Sequence, residues 1–212
     1  MRVASFLSLF TVAAMATIAS TASAAIITGS ASETIVESRT GGKNFAAYSD
    51  TAATVTNNSW TNSTAKSTAP GLTAGIGSRF NSNAFINNAA YFQVAPTLPT
   101  AGGIYDVYVS TTNGSGANVI TAGITVTGGT GLPATTTAFS TASQNTWLLV
   151  GQLDLDPGVT VPTIRFNEVA NSNRFYADGV LFAEVAVPEP ATLALAGMGL
   201  IGICSVARRK NA

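Results

Sequence analysis

Between residues 25 and 187 no stretch repeats apolar residues at helical spacing; short segments with every second residue apolar recur instead, separated by clusters of Gly, Asn, Ser, Thr and Pro. That pattern restricts the chain to a sandwich or barrel of β-strands. In residues 103–110, Tyr105, Val107 and Val109 share one face and Asp106 and Ser110 the other, so the first face is the expected core face. In residues 147–156, Trp147, Leu149, Gly151, Leu153 and Leu155 alternate with Leu148, Val150, Gln152, Asp154 and Asp156, and the side that holds Trp147 is expected to point inward. Asp156-Pro157-Gly158 ends that strand. Ile164 and Phe166 alternate with Arg165 and Asn167, and residues 174–185 are apolar on both faces in part, as a central strand would be. Weaker strand signals cover 34–37, 45–48, 89–94, 119–127 and 135–140, whereas 57–70 is polar and turn-rich with Trp60 alone in it, and Asn113-Gly114-Ser115-Gly116 is a turn. One sandwich over about residues 28–185, with no helix longer than about two turns, is the expected domain.

The two ends follow a different logic. Met1 and Arg2 precede an uncharged apolar stretch, residues 3–19, and then Thr21-Ala22-Ser23-Ala24, with small residues three and one before a cut after Ala24. These three regions describe a secretory signal peptide over 1–24, removed by signal peptidase, so that the mature chain starts at Ala25. At the far end, Val187-Pro188-Glu189-Pro190 precedes an apolar run over 191–207 and the cluster Arg208-Arg209-Lys210. Seventeen helical residues reach about 25 Å, just enough for a transmembrane helix, and the cations would stay on the cytoplasmic side. The prolines flanking Glu189 hold the backbone extended and delay the helix start, which displays the motif above the membrane.

The exported part, 25–187, holds six Lys or Arg against nine Asp or Glu, near minus three, with no basic stripe to neutralise phosphates. Nucleic acid is therefore not an expected partner. The chain has no histidine, and its one cysteine, Cys204, lies in the tail. Ser-His-Asp and Cys-His catalysis, histidine-containing zinc sites, thiol redox chemistry and intradomain disulfides are all excluded by those two facts. No catalytic residue, metal site or cofactor is assigned.

Asp154 and Asp156 lie two apart on one strand, with Cα atoms about 6.6 to 6.8 Å apart, and paired carboxylates of that kind can serve glycoside hydrolysis or calcium binding. They flank a turn on the solvent face, where acids are ordinary, and a structural hydrogen-bonding role is expected for Asp178. Sugar-binding modules lay aromatic rings against the apolar face of a sugar. Trp147 and Tyr105 fall on inward faces, which leaves Trp60, Tyr48, Tyr108 and Tyr176 as ligand-binding candidates, Trp60 first because its segment is a polar loop. Asn-x-Ser/Thr matches at Asn57, Asn62 and Asn113 point only to loops.

Pro188-Glu189-Pro190, a short apolar helix and an Arg-rich terminus together resemble the PEP-CTERM sorting signal. The resemblance implies an exosortase-type membrane protease as partner, transient anchoring in the inner membrane, and a final place in the cell envelope or extracellular matrix. A second resemblance rests on Leu98-Pro99, the segment Gly103-Ile104-Tyr105-Asp106-Val107-Tyr108-Val109, Trp147 to Gly151, and Ala177-Asp178-Gly179-Val180-Leu181-Phe182. These look like the golvesin C-terminal-like domain, a family described as similar to the carbohydrate-binding module of a xanthan lyase. That implies an all-β, jelly-roll-like β-sandwich over 25–187, between the signal helix and the sorting tail at 188–212. Gly179 departs from the Ala usual in that family. The leading expectation is a non-catalytic surface or biofilm-matrix protein associated with extracellular polysaccharide. A purely structural matrix protein, or an exported polysaccharide-acting enzyme using carboxylates, Lys43 or Lys66, tyrosines or a metal, are the alternatives.

Overall fold

The structure, a computed structural model, describes residues 32–50, 60–81, 90–110, 112, 120–139, 145–169 and 175–185. The signal segment 1–24, the sorting tail 188–212, the turn at 113–116, Asn57 and Arg174 lie outside the described residues. Thirteen strands and a single 3-10 turn make up the described chain. The strands are β1 (Glu33–Glu37), β2 (Tyr48–Asp50), β3 (Trp60–Asn62), β4 (Arg79–Asn81), β5 (Tyr91–Val94), β6 (Ile104–Ser110), β7 (Ile120–Thr127), β8 (Gly129–Thr130), β9 (Thr135–Phe139), β10 (Trp147–Leu155), β11 (Thr163–Glu168), β12 (Phe175–Ala177) and β13 (Gly179–Glu184). The all-β expectation holds, and among the described residues no helix is long and apolar enough to cross a membrane.

Two five-stranded antiparallel sheets form the sandwich: sheet A in the order β1-β13-β6-β10-β8 and sheet B in the order β2-β5-β11-β7-β9. A third sheet, β12-β4-β3, adds a smaller layer. Sheet A contributes Tyr105, Val107, Val109, Leu153, Leu155, Val180 and Phe182 to the core, and sheet B contributes Phe92, Val94, Ala122, Phe139, Ile164 and Phe166. Each set occupies alternate positions, so simple alternation carries both inner faces. Phe92 sits at the centre, with ring centroids 4.9 Å from Phe166, 5.4 Å from Phe175, and 5.9 Å from both Phe139 and Trp60. β13 lies between β1 and β6, and Val180, Leu181 and Phe182 are buried on both of its faces, as a central strand requires.

One strand departs from the expected faces. The pairing of β10 with β6 shifts between Leu149 and Gly151, so a β-bulge inserts one residue and reverses the alternation on either side. Leu153 and Leu155 stay inward, Val150 turns in, and Leu149 is 57% exposed. Trp147, expected in the main core, is instead half-buried on the outer side of sheet A, where it packs with Ile35, Tyr108, Leu181 and Leu72 in a second small cluster. Its Nε1 donates to the carbonyl of Pro70 at 2.8 Å.

That outer cluster is covered by a strap, residues 63–76, held mostly by polar contacts. Glu37, only 3% exposed, accepts from the backbone N–H of Thr73 at 3.0 Å, from Thr73 Oγ1 at 2.6 Å and from the N–H of Lys43 at 2.6 Å. The Ser78 N–H donates to the Ala65 carbonyl, and Arg39 Nη1 donates to the Ser63 carbonyl at 2.9 Å. A Cβ on Gly179 would stand 2.8 Å from Leu72 Cδ2 and 3.1 Å from the Trp147 ring. Glycine at this position therefore lets the strap approach this closely.

Candidate functional site

The four rings singled out from the sequence are structural, and the structure does not bring them together. Trp60 does not stand in a loop: it starts β3, pairs with Asn81 of β4 and is 7% exposed, packed on Phe92 and Phe175. Its neighbours in sequence are polar, but the small third sheet turns its ring into the core, where Nε1 has no hydrogen-bond partner. Tyr176, also 7% exposed, lies against Phe80 at 5.6 Å. Tyr108 is buried under the strap in the outer cluster of sheet A; burial, then Asp106 and Glu33, push its hydroxyl above the usual range. Tyr48 stacks between Phe45 and Phe92 and donates its hydroxyl to Asp50 at 3.0 Å, while Asp50 also holds Arg79. Burial, followed by Asp50, raises the Tyr48 hydroxyl well above 10. Rings packed in this way offer no free face for a sugar to stack on.

Asp178 takes the hydrogen-bonding role expected of it. Ser110 Oγ donates to its carboxylate at 2.7 Å and in turn accepts the Gly179 N–H at 2.9 Å, while the Ser67 N–H of the strap also reaches the carboxylate. Burial first, and the charge of nearby Glu37 after it, raise its pKa to about 6, against the pull of the two donors. Asp154 and Asp156 are exposed, and among the described residues no group of three or more His, Cys, Asp or Glu could hold a metal ion.

A different set of side chains converges on the outer face of sheet B. Phe92 and Val94 of β5 face the core, so Tyr91 and Gln93 face outward; Ile164 and Phe166 of β11 face the core, so Thr163, Arg165 and Asn167 face outward. The register places Gln93, Arg165 and Thr125 in one row across three strands, with Ser49 of β2 beyond Gln93. Tyr91, Asn167, Gly123 and Thr135 form the adjoining row across four. With strands about 4.8 Å apart, four strands make a platform roughly 14 Å wide. Apart from Gly123, its outward residues are hydroxyls, amides, one tyrosine and one arginine, and no carboxylate is among them. The guanidinium carbon of Arg165 lies 3.3 Å from the centre of the Tyr91 ring, so the cation and the ring immobilise each other. Alternation in sequence already separates Arg165 and Asn167 from Ile164 and Phe166, but which strands lie beside β11 is a tertiary fact. Tyr91 therefore could not be paired with Arg165 from the sequence.

These features define a β-sandwich protein with a polar, ring-bearing sheet face. Residues 186–210 match the model of the PEP-CTERM protein-sorting motif, which implies an exported, transiently membrane-anchored protein and processing by exosortase, a membrane protease. In structure the chain is similar to a xanthan lyase of Paenibacillus solved at 2.6 Å, with TM-score 0.54 and 18% identity, over 73% of this chain and 13% of that chain. At that identity the similarity concerns the fold. Comparison with curated proteins gives no significant match.

Proposed function

We propose that this chain is a non-catalytic cell-surface or biofilm-matrix protein whose sandwich associates with extracellular polysaccharide through the outer face of sheet B. The observation that carries this reading is the platform of Gln93, Arg165, Thr125, Tyr91 and Asn167, which joins ring surface to amide and hydroxyl groups in the rigid centre of a sheet. Sugars present apolar ring faces and hydroxyls together, and a pre-ordered face of this chemistry meets both without the entropy cost of ordering loops. The likeness to part of an enzyme named for a polysaccharide, and the golvesin-like order of motifs, support the same role.

The test is binding of the purified full-length chain to immobilised polysaccharides. Tyr91→Ala and Asn167→Ala should each weaken retention about tenfold, the loss of one good contact. Trp60→Phe, deep in the core, should leave it unchanged. Equal retention of all variants would remove sheet B from the proposal, and depolymerisation of the polysaccharide by the wild type would replace a binding role with an enzymatic one.

The sorting tail makes its own prediction. If Pro188-Glu189-Pro190 is read by the protease, Glu189→Ala and Pro190→Ala should leave export intact and accumulate a membrane-bound form lacking residues 1–24. Removal of Arg208, Arg209 and Lys210 should instead disturb orientation before processing. Cell fractionation with mass measurement distinguishes these, and normal release of the Pro-Glu-Pro variants would make the motif a spacer.

A further inference from the structure

We propose that the stacked Tyr91–Arg165 pair is a subsite for a carboxylate-bearing sugar residue, so that the polysaccharide held by sheet B is an acidic one. This rests on the polysaccharide reading above and specifies its ligand class.

Three observations lead there. Arg165 makes no ion pair among the described residues, in contrast to Arg79, which holds Asp50. Its Nε is buried without a hydrogen-bond partner and its guanidinium is fixed on the Tyr91 ring, so the side chain has already lost the freedom that binding would otherwise cost. An ordinary solvated arginine on a sheet face would not be restrained in this way. Finally, charge is divided between the two outer faces. Register places Glu33, Asp106 and Asp154 outward on sheet A, whereas Arg165 is the charged residue among those facing outward on sheet B. The exported part as a whole is acidic, so a polyanion is repelled generally and admitted only where the local sign is reversed. Gln93 and Thr125, on either side of Arg165 in the same row, supply an amide and a hydroxyl for the neighbouring oxygens of the sugar. A guanidinium also matches a carboxylate in a planar, two-point geometry that a neutral hydroxyl cannot reproduce.

The test uses matched polymers: polygalacturonate, alginate and hyaluronate, each alongside its carboxyl-reduced form. The purified full-length chain should bind at least one acidic polymer about tenfold more tightly than its reduced counterpart, and the difference should shrink between low salt and about 0.5 M NaCl. Arg165→Gln should abolish the preference, so that the acidic polymer and its reduced form bind alike. Arg165→Lys, which keeps the charge without the planar fork, should fall between, and unchanged unfolding midpoints would show that both variants fold. Equal binding of acidic and reduced polymers would overturn the carboxylate subsite and leave the polysaccharide reading standing. No binding to any polymer would overturn both. Self-association of the chain alone that Arg165→Gln abolishes would assign the face to a second copy instead.

Discussion

Replacing Phe92 by alanine should lower stability by about 3 to 5 kcal/mol, the cost of removing a large ring from a fully packed site. The ring is 2% exposed, and on it sheet B, through Phe166 and Phe139, meets the small third sheet, through Phe175 and Trp60. The surrounding rings are themselves held by strand pairing, so they cannot collapse into the space. Total stabilities of single domains are about 5 to 15 kcal/mol, so this substitution takes a large share, and the described domain has no disulfide to compensate. Leu149→Ala should by contrast stay within about 0.5 kcal/mol of wild type, because Leu149 is 57% exposed on the outer side of the bulge. Urea unfolding of the two variants checks the register as well as the core. A costly Leu149→Ala would mean that β10 runs without its bulge.

The second large effect depends on pH. Asp178 has its pKa raised from 3.8 to about 6, chiefly by burial. Its folded value exceeds its unfolded one, so its contribution is fully present below about pH 4, falls as pH rises toward 6 and is gone above it. A shift of this size corresponds to about 3 kcal/mol. An asparagine side chain at this position would resemble the protonated acid and keep an oxygen for Ser110 Oγ, so Asp178→Asn should gain about 3 kcal/mol relative to wild type between about pH 4 and pH 7.5. Any cost from placing an amide N–H against the Ser67 N–H is independent of pH and leaves that difference intact. Unfolding by urea at several pH values reads it directly; stability profiles that run parallel would mean that Asp178 is ionised throughout.

In the strands with regular alternation, β6 and β11, the inward face was legible: Tyr105, Val107, Val109, Ile164 and Phe166 are all fully buried, whereas the strap that covers Tyr108 on the outer face of β6 was not. β10 was misread in its first half because the bulge at Leu149 and Gly151 leaves no mark in the hydrophobic pattern; it exists only as a mismatch with β6. Trp60 was misread for a related reason. Its polar neighbours Thr61 and Asn62 describe the exposed side of a three-residue strand, and nothing local says that β4 will pair with it and turn the ring inward. The candidate face was half legible. Arg165 and Asn167 could be put on the outer side of their strand, but the ring that orients Arg165 comes from residue 91, more than seventy positions away, and only the pairing of β5 with β11 joins them.

The central claim, that sheet B presents the polysaccharide-binding surface, is tested most directly by hydrogen exchange or amide chemical shifts of the full-length chain during titration with an acidic oligosaccharide. Changes should centre on Tyr91, Gln93, Thr125, Arg165 and Asn167, while Trp147, Leu149 and Asp154 on the far sheet stay unchanged. Changes confined to sheet A or the strap, with none on β5 and β11, would contradict it.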